Sequence, residues 1–167
     1  MKSRARLDVA VAGGGVVGAA CALALARAGL QVALVEARPA PRWLAERPDL
    51  RVFALAPDNA ALLDALGVWP QVVRARAQPY RKMRVWDAGG GDELAFDAAT
   101  LARDELGWIV ENGLLVDRLW AALVAAGVQV HCPARVQGME QDEAGVTLTF
   151  PLGNRAAAAR RAQSLAN

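Results

Sequence analysis

Six consecutive residues, Gly13-Gly14-Gly15-Val16-Val17-Gly18, spell G-x-G-x-x-G. Glycines at that spacing suit one kind of chemistry, the approach of bare backbone to a pyrophosphate. Gly13 permits a tight turn out of a strand. Gly15 leaves no side chain between the chain and the phosphates, and Gly18 lets the next helix pack close to the strand. A helix opening there offers unbonded N–H groups and a partial positive charge to an anion. Glu36 lies 18 residues after Gly18. A carboxylate at the end of the next strand accepts hydrogen bonds from ribose hydroxyls and repels a 2′-phosphate. The pattern therefore points to FAD or NAD and away from NADP, with the cation Arg38 nearby as the one feature pulling the other way.

Such a motif works only between a strand and a helix. Residues 7–12 (LDVAVA) read as a short buried strand, 16–28 as an Ala/Leu-rich helix stopped by Gly29, and 31–36 (QVALVE) as a second apolar strand. Strand, helix and parallel strand make a βαβ unit. Residues 39–49, with three prolines, read as a loop. A helix is expected over 59–66, starting at Pro57 or Asp58 and followed by Gly67. Residues 83–86 and 93–96 read as a hairpin around Gly89-Gly90-Gly91. Further strands are expected at 108–110, 128–131, 134–141 and 146–150, with a helix over 114–126 ended by Gly127. Residues 154–167 lack amphipathic period and read as a frayed helix or a disordered tail.

The chain has 167 residues, is 54% hydrophobic and 22% charged, and carries a formal net charge of +2. That length suits one domain, and disorder would need lower hydrophobicity and higher charge. Alanine accounts for 37 residues, so the apolar content favours helices packed closely on a sheet. The small net charge gives no pull toward nucleic acid or membrane. No signal peptide or membrane-length apolar run is visible, so a soluble cytoplasmic protein is expected.

Other reactive residues point nowhere in particular. Cys21 and Cys132 make no disulfide framework. His131 and Cys132 are adjacent, so they face opposite sides of a strand, and no metal site is expected. No nucleophile elbow and no P-loop lysine motif occurs. Cys21 is expected in the core, as are most of Trp43, Trp69, Trp86, Trp108 and Trp120. The arginines from Arg74 to Arg84, with Tyr80 between, read as a solvated face. Arg51 alone is either a solvated loop charge or an anion contact, and Asn112 is a reasonable helix N-cap.

Residues 8 to about 150 resemble the N-terminal part of the group A FAD-dependent aromatic monooxygenases, in particular the ubiquinone-biosynthesis hydroxylase family. The resemblance is carried by DVAVAGGGVVG (8–18), VEAR (35–38), RVFALAPDNAALLDALGVW (51–69), MRVWD (83–87) and WIVENGLLVDRL (108–119). Ala56 and Asn59 stand where that family usually has serines.

The resemblance implies an α/β fold, a Rossmann-like FAD-binding domain of the GR2 flavoprotein type. That domain would be incomplete here and joined by the first hairpin of a substrate-domain sheet. The implied organisation is a first FAD-binding segment over 1–76, the start of the substrate sheet over 77–107, a second FAD-binding segment over 108–153, and an atypical tail over 154–167. FAD is the implied cofactor and NAD(P)H the co-substrate. Gly13, Gly15, Gly18 and Glu36 would hold the ADP part, Arg51 would lie near the pyrophosphate, Asn112 near the flavin, and backbone around Val136 at the adenine. The implied activity is hydroxylation of an aromatic ubiquinone precursor, with peripheral attachment to the inner membrane or to a biosynthetic complex. Later family motifs, A-D-G-x-x-S-like and G-D-A-x-H, do not occur. Residues 158–164 (AARRAQS) resemble A-A-D-G-A-Q-S with Arg160 and Arg161 in place of Asp and Gly. The chain is thus expected to be an N-terminal portion that is not active alone, and no residue in it is assigned as catalytic. The alternatives are a non-catalytic dinucleotide-binding or interaction module, and another FAD oxidoreductase sharing this first domain.

Overall fold

The structure, a computed structural model, describes residues 7–143, 145–151 and 160–162. The chain divides into two compact units, Met1–Arg42 with Val116–Asn167, and Trp43–Leu115.

The first unit is built on a parallel sheet. Strand β1 (Val9–Ala12) leads through the glycine turn into helix α1 (Val16–Arg27), which returns to β2 (Val32–Val35). The third strand of the sheet is β8 (Gln129–His131), giving the order β1-β2-β8 with both pairings parallel. All four residues of central β2 are buried, which explains its uninterrupted apolar run: a parallel strand covered on both faces has no polar side to show. Helix α1 buries Ala19, Ala22 and Leu23. These small and apolar residues share one face at i, i+3 and i+4. The helix ends at Gly29, whose φ of +90 closes it with bonds from Gly29 N–H to the Ala26 carbonyl and from Leu30 N–H to the Leu25 carbonyl. Helix α4 (Asn112–Ala125) ends the same way at Gly127 and buries Val116, Leu119, Trp120 and Leu123, again one stripe.

A second, antiparallel sheet in this unit has the order β11-β10-β9, from β9 (Gly138–Asp142), β10 (Gly145–Thr149) and β11 (Arg160–Ala162). β11 pairs along β10 with Thr147 opposite Arg161. This corrects the expectation of a helix or disorder at 160–162. Backbone pairing with an existing strand fixes these residues, where their own composition specifies nothing. The remainder of the 154–167 expectation lies outside the described residues.

The second unit contains the antiparallel sheet β3-β7-β4, built from β3 (Val52–Leu55), β4 (Gln78–Tyr80) and β7 (Gly107–Glu111). Between them lie α2 (Pro57–Ala65), α3 (Trp69–Arg76) and the hairpin of β5 (Lys82–Val85) and β6 (Leu94–Asp97). The hairpin pairs Met83 with Phe96 and Val85 with Leu94 on one face. Ion pairs Lys82–Asp97 at 3.0 Å and Arg84–Glu93 at 2.6 Å fasten it. Gly107 must lack a side chain, since a Cβ there would fall on the Leu55 carbonyl oxygen of the paired strand.

Elements β3, α3 and β4 were not expected from the sequence. β3 has exposed Val52 and Phe53, so it lacks the alternation that marks a half-buried strand. α3 buries only Val72 and contains Pro70, and β4 has three residues, one of them Pro79. Two placements in the core are also corrected. Cys21 is exposed, because α1 turns it away from the Ala19–Ala22–Leu23 face. Among the tryptophans only Trp120 is buried, Trp86 is 68% exposed, and Trp43, Trp69 and Trp108 are half-buried. Trp69 and Trp108 pack edge to face with ring centroids 5.3 Å apart.

Substitution in the β2 core separates buried from exposed apolar residues. Leu34→Ala, at a fully buried site, is expected to destabilise the chain by about 2–5 kcal/mol. Val17→Ala, at a residue 83% exposed, is expected to stay within about 0.5 kcal/mol of wild type. Urea denaturation followed by circular dichroism reads both, and equal midpoints for the two variants would refute this assignment of the core.

Candidate functional site

In the first unit the glycine turn is held at every position. Gly13 adopts φ +103 and donates its N–H to the Val35 carbonyl at 2.8 Å, which ties the turn to β2. A Cβ on Gly18 would fall on the Gly13 carbonyl oxygen, so helix and strand approach as closely as backbone allows. Gly15 is the N-cap of α1. It is extended, no side chain caps the helix, and no acidic residue lies in the first turn. A Cβ at Gly15 would meet nothing within 4 Å. The result is an open, uncapped helix N-terminus beside bare backbone, which fits the pyrophosphate of a dinucleotide such as FAD.

Gly14, an unspecified position of the motif, is the most constrained residue in the turn. Its N–H donates to Glu36 Oε2 at 2.6 Å, and its carbonyl accepts from Trp120 Nε1 at 2.7 Å. A Cβ on Gly14 would lie 2.5 Å from the Trp120 ring and 3.2 Å from the Glu36 Cβ. Neither contact was foreseen; a tryptophan eight residues into a helix far along the sequence carries no local signal.

Glu36 follows β2 directly, its N–H donating to the His131 carbonyl at 2.9 Å. Its other carboxylate oxygen, Oε1, accepts the Arg38 N–H at 2.7 Å. Burial pushes the Glu36 carboxyl up, but the N–H groups of Arg38 and Gly14, the Arg38 charge and the Ala37 N–H outweigh it and hold the pKa below the usual value. The group is therefore a fixed anion. One oxygen accepts the Gly14 N–H of the turn and the other the Arg38 N–H, which leaves acceptor capacity for hydroxyl groups. The Cys132 thiol is pushed up by burial and by the Glu36 charge, and it donates to the Arg38 carbonyl at 2.9 Å. Val136 lies between β8 and β9 and packs on the cluster of Val35, Ala134, Leu148 and Phe150.

The second unit holds Arg51 and Asn112, which are adjacent: the Asn112 N–H donates to the Arg51 carbonyl at 2.9 Å. The Arg51 side chain is 71% exposed, restrained only by Asp49 at 3.4 Å. Asp49 also accepts the Arg51 N–H at 3.0 Å and the Gly113 N–H at 3.0 Å. Those contacts, led by the Arg51 N–H, hold its pKa down. Capping by Asn112 is thereby corrected. Asn112 is the first helical residue of α4, and the carboxylate of Asp49 takes the free N–H of the first turn instead.

Beneath Asp49 lies Glu111, the one charged residue among the buried side chains described. Its carboxylate accepts the Asp49 N–H at 2.9 Å, Trp43 Nε1 at 3.0 Å and Arg76 at 2.5 Å. Arg76 also reaches the Ala45 carbonyl and lies 5.6 Å from the Trp43 ring centre. Desolvation raises the Glu111 pKa, yet these donors bring it below its ordinary value. Among the described residues no group of three or more His, Cys, Asp or Glu could hold a metal ion.

Known proteins resemble this chain in sequence and fold. Residues 8–47 match the DAO family, FAD dependent oxidoreductase. Over 119 residues the chain is 42% identical to the 3-demethoxyubiquinol 3-hydroxylase of Escherichia coli K12, covering 71% of this chain and 30% of that protein. It is 34% identical over 153 residues to the ubiquinone hydroxylase UbiL of Rhodospirillum rubrum, covering 87% of this chain and 34% of that one. The chain is therefore similar to FAD dependent oxidoreductases at residues 8–47 and, over most of its own length, to ubiquinone hydroxylases. The α/β architecture agrees. Aklavinone-11 hydroxylase, solved with FAD and aklavinone, superposes with a TM-score of 0.69 at 29% identity, over 97% of this chain and 32% of that one. The chain spans about a third of the length of the curated ubiquinone hydroxylases it matches.

Glu111 provides a pH test. The folded state holds its carboxyl below the ordinary value of 4.5. Its stabilisation is therefore complete above about that pH and is lost as pH falls through the lower folded value. Glu111→Gln is expected to cost about 1–3 kcal/mol at pH 7 and to shrink the gap to wild type as pH drops below about 4. Urea midpoints from pH 7 to 3 measure this; a constant gap across the range would contradict it.

Proposed function

We propose that the chain supplies the FAD-binding N-terminal part of a hydroxylase that acts on an aromatic ubiquinone precursor. The observation that carries the reading is the bare, uncapped turn at Gly13–Gly18 with Glu36 fixed beside it, in a chain 42% identical to a ubiquinone hydroxylase. Gly15 and the first turn of α1 would receive the pyrophosphate, and Glu36 the adenosine ribose. Val136 backbone would border the adenine, and Arg51 and Asn112 would serve the flavin side. When bound, FAD supplies the activation of O2 for ring hydroxylation. The residues described bind and orient it. NAD(P)H as reductant belongs to the same proposal.

An apolar quinone precursor also favours peripheral attachment at the inner membrane or within a biosynthetic complex. No helix among the described residues is long and apolar enough to cross a membrane. One third of a hydroxylase does not complete an active site, so the chain alone is proposed to be inactive.

Two glycines separate cofactor binding from folding. Gly15→Ala adds a methyl group into open space, so its melting temperature should match wild type while FAD affinity falls about tenfold or more. Gly18→Ala meets the Gly13 carbonyl and should lower the melting temperature itself. Flavin fluorescence titration with a thermal melt reads both; full FAD affinity in Gly15→Ala would contradict the placement of the pyrophosphate.

The activity is tested by joining the chain to the part of the Escherichia coli relative that it does not match. In a strain lacking that hydroxylase, the fusion is expected to restore ubiquinone, detected by mass spectrometry, and the chain alone is not. A fusion that binds FAD yet leaves the precursor unhydroxylated would sink the substrate assignment.

A further inference from the structure

The Gly14–Gly15 peptide has two ends, and Trp120 holds one of them. Trp120 is buried in α4, and its indole N–H can only donate. It spends that bond on the Gly14 carbonyl at 2.7 Å. In a trans peptide the carbonyl and the following N–H point in opposite directions. Fixing the Gly14 oxygen toward the indole therefore fixes the Gly15 N–H away from it. The preceding peptide is held as well, because the Gly14 N–H is bound by Glu36 at 2.6 Å. A flip of the Gly14–Gly15 peptide would leave a buried indole N–H without its acceptor. It would also turn a carbonyl, an electron-rich group, to the side where the N–H had been.

The indole acts by shape too. The space that a residue-14 side chain would take is filled by the Trp120 ring, 2.5 Å from the ideal Cβ position. Gly14 has no positive φ, so backbone conformation alone does not demand glycine there. The ring does. Positions 14 and 120 are thus one steric and hydrogen-bonded unit, 106 residues apart in sequence.

We propose that Trp120 is a positioning residue of the dinucleotide site: it locks the Gly14–Gly15 peptide so that the Gly15 N–H faces the anion. This rests on the FAD reading above for its ligand, while the locking of the peptide stands independently of it. Trp120→Phe keeps an aromatic ring and removes the donor. In the cofactor-free chain, NMR relaxation dispersion at the Gly15 amide nitrogen is expected to show peptide-flip exchange that wild type lacks, with the β2 amides of Ala33 and Leu34 unchanged. FAD affinity, measured by flavin fluorescence at a temperature where the variant is fully folded, is expected to fall several-fold. Gly14→Ala should lower the melting temperature in the wild-type background and cost little more in Trp120→Leu, where the ring is gone.

Unchanged Gly15 dispersion in Trp120→Phe would overturn the proposal, whether or not FAD binds. Unchanged FAD affinity in a variant whose Gly15 amide shows the new exchange would also overturn it, since the orientation of that peptide would then not matter to the ligand. Absence of FAD binding by the wild-type chain would refute the cofactor reading instead, and the exchange data would still decide the role of Trp120.

Discussion

The structure depends on one close approach, that of α1 to β1 across the glycine turn. Gly18 sits so near the Gly13 carbonyl that no side chain fits between them. That contact lets α1 cover β1 and β2 directly and keeps β2 buried on both faces. It also places the uncapped start of α1 just past the end of β1, where phosphate chemistry requires it. The missing side chain at Gly18 serves packing, and the proposed anion site depends on the approach it allows. The alanine-rich face of α1, with Ala19 and Ala22 fully buried, continues that economy of volume along the helix.

Two carboxylates, one in each unit, repeat a single device. Glu36 comes directly after β2 and Glu111 ends β7. Each accepts a backbone N–H from the segment that the proposed site uses: Glu36 from Gly14 in the turn, and Glu111 from Asp49 in the loop leading to Arg51. Each is held ionised by its donors against the cost of burial. A carboxylate anchored to a strand end is rigid, and it can organise a loop that has no regular structure of its own. The loop before β3 is fastened in this way beside the half-buried Trp43 and Leu44, while Leu50 is 97% exposed.

Much of the first unit could be read from the sequence because its signals are local. Glycine spacing, apolar runs at 9–12 and 32–35, and Gly29 and Gly127 as helix stops all act within a few residues. The second unit yielded less. β3, α3 and β4 are short, largely exposed or contain proline, and β3 and β4 take their identity from pairing with β7 and not from their own pattern. The site divides the same way. Gly13, Gly15, Gly18 and Glu36 announce themselves by spacing. Gly14 with Trp120, and Glu111 with Asp49, Trp43 and Arg76, become visible only when distant segments meet.

The electrostatics also say what kind of work this part of the protein does. A general acid or base needs a pKa near the working pH. The groups whose titration is clearly displaced all move the other way. Glu36, Asp49, Asp97 and Glu111 are lowered, so they stay anionic. Arg84 is raised and stays cationic, and Cys132 is raised and stays a thiol. Such groups keep their charge state through neutral pH. That is the behaviour wanted of a cradle for a redox cofactor, where the protein supplies orientation and field while the bound group carries the electrons. It also accounts for the density of constraint on Gly14 and Asp49. N–H donors fixed in direction are what these segments offer a ligand.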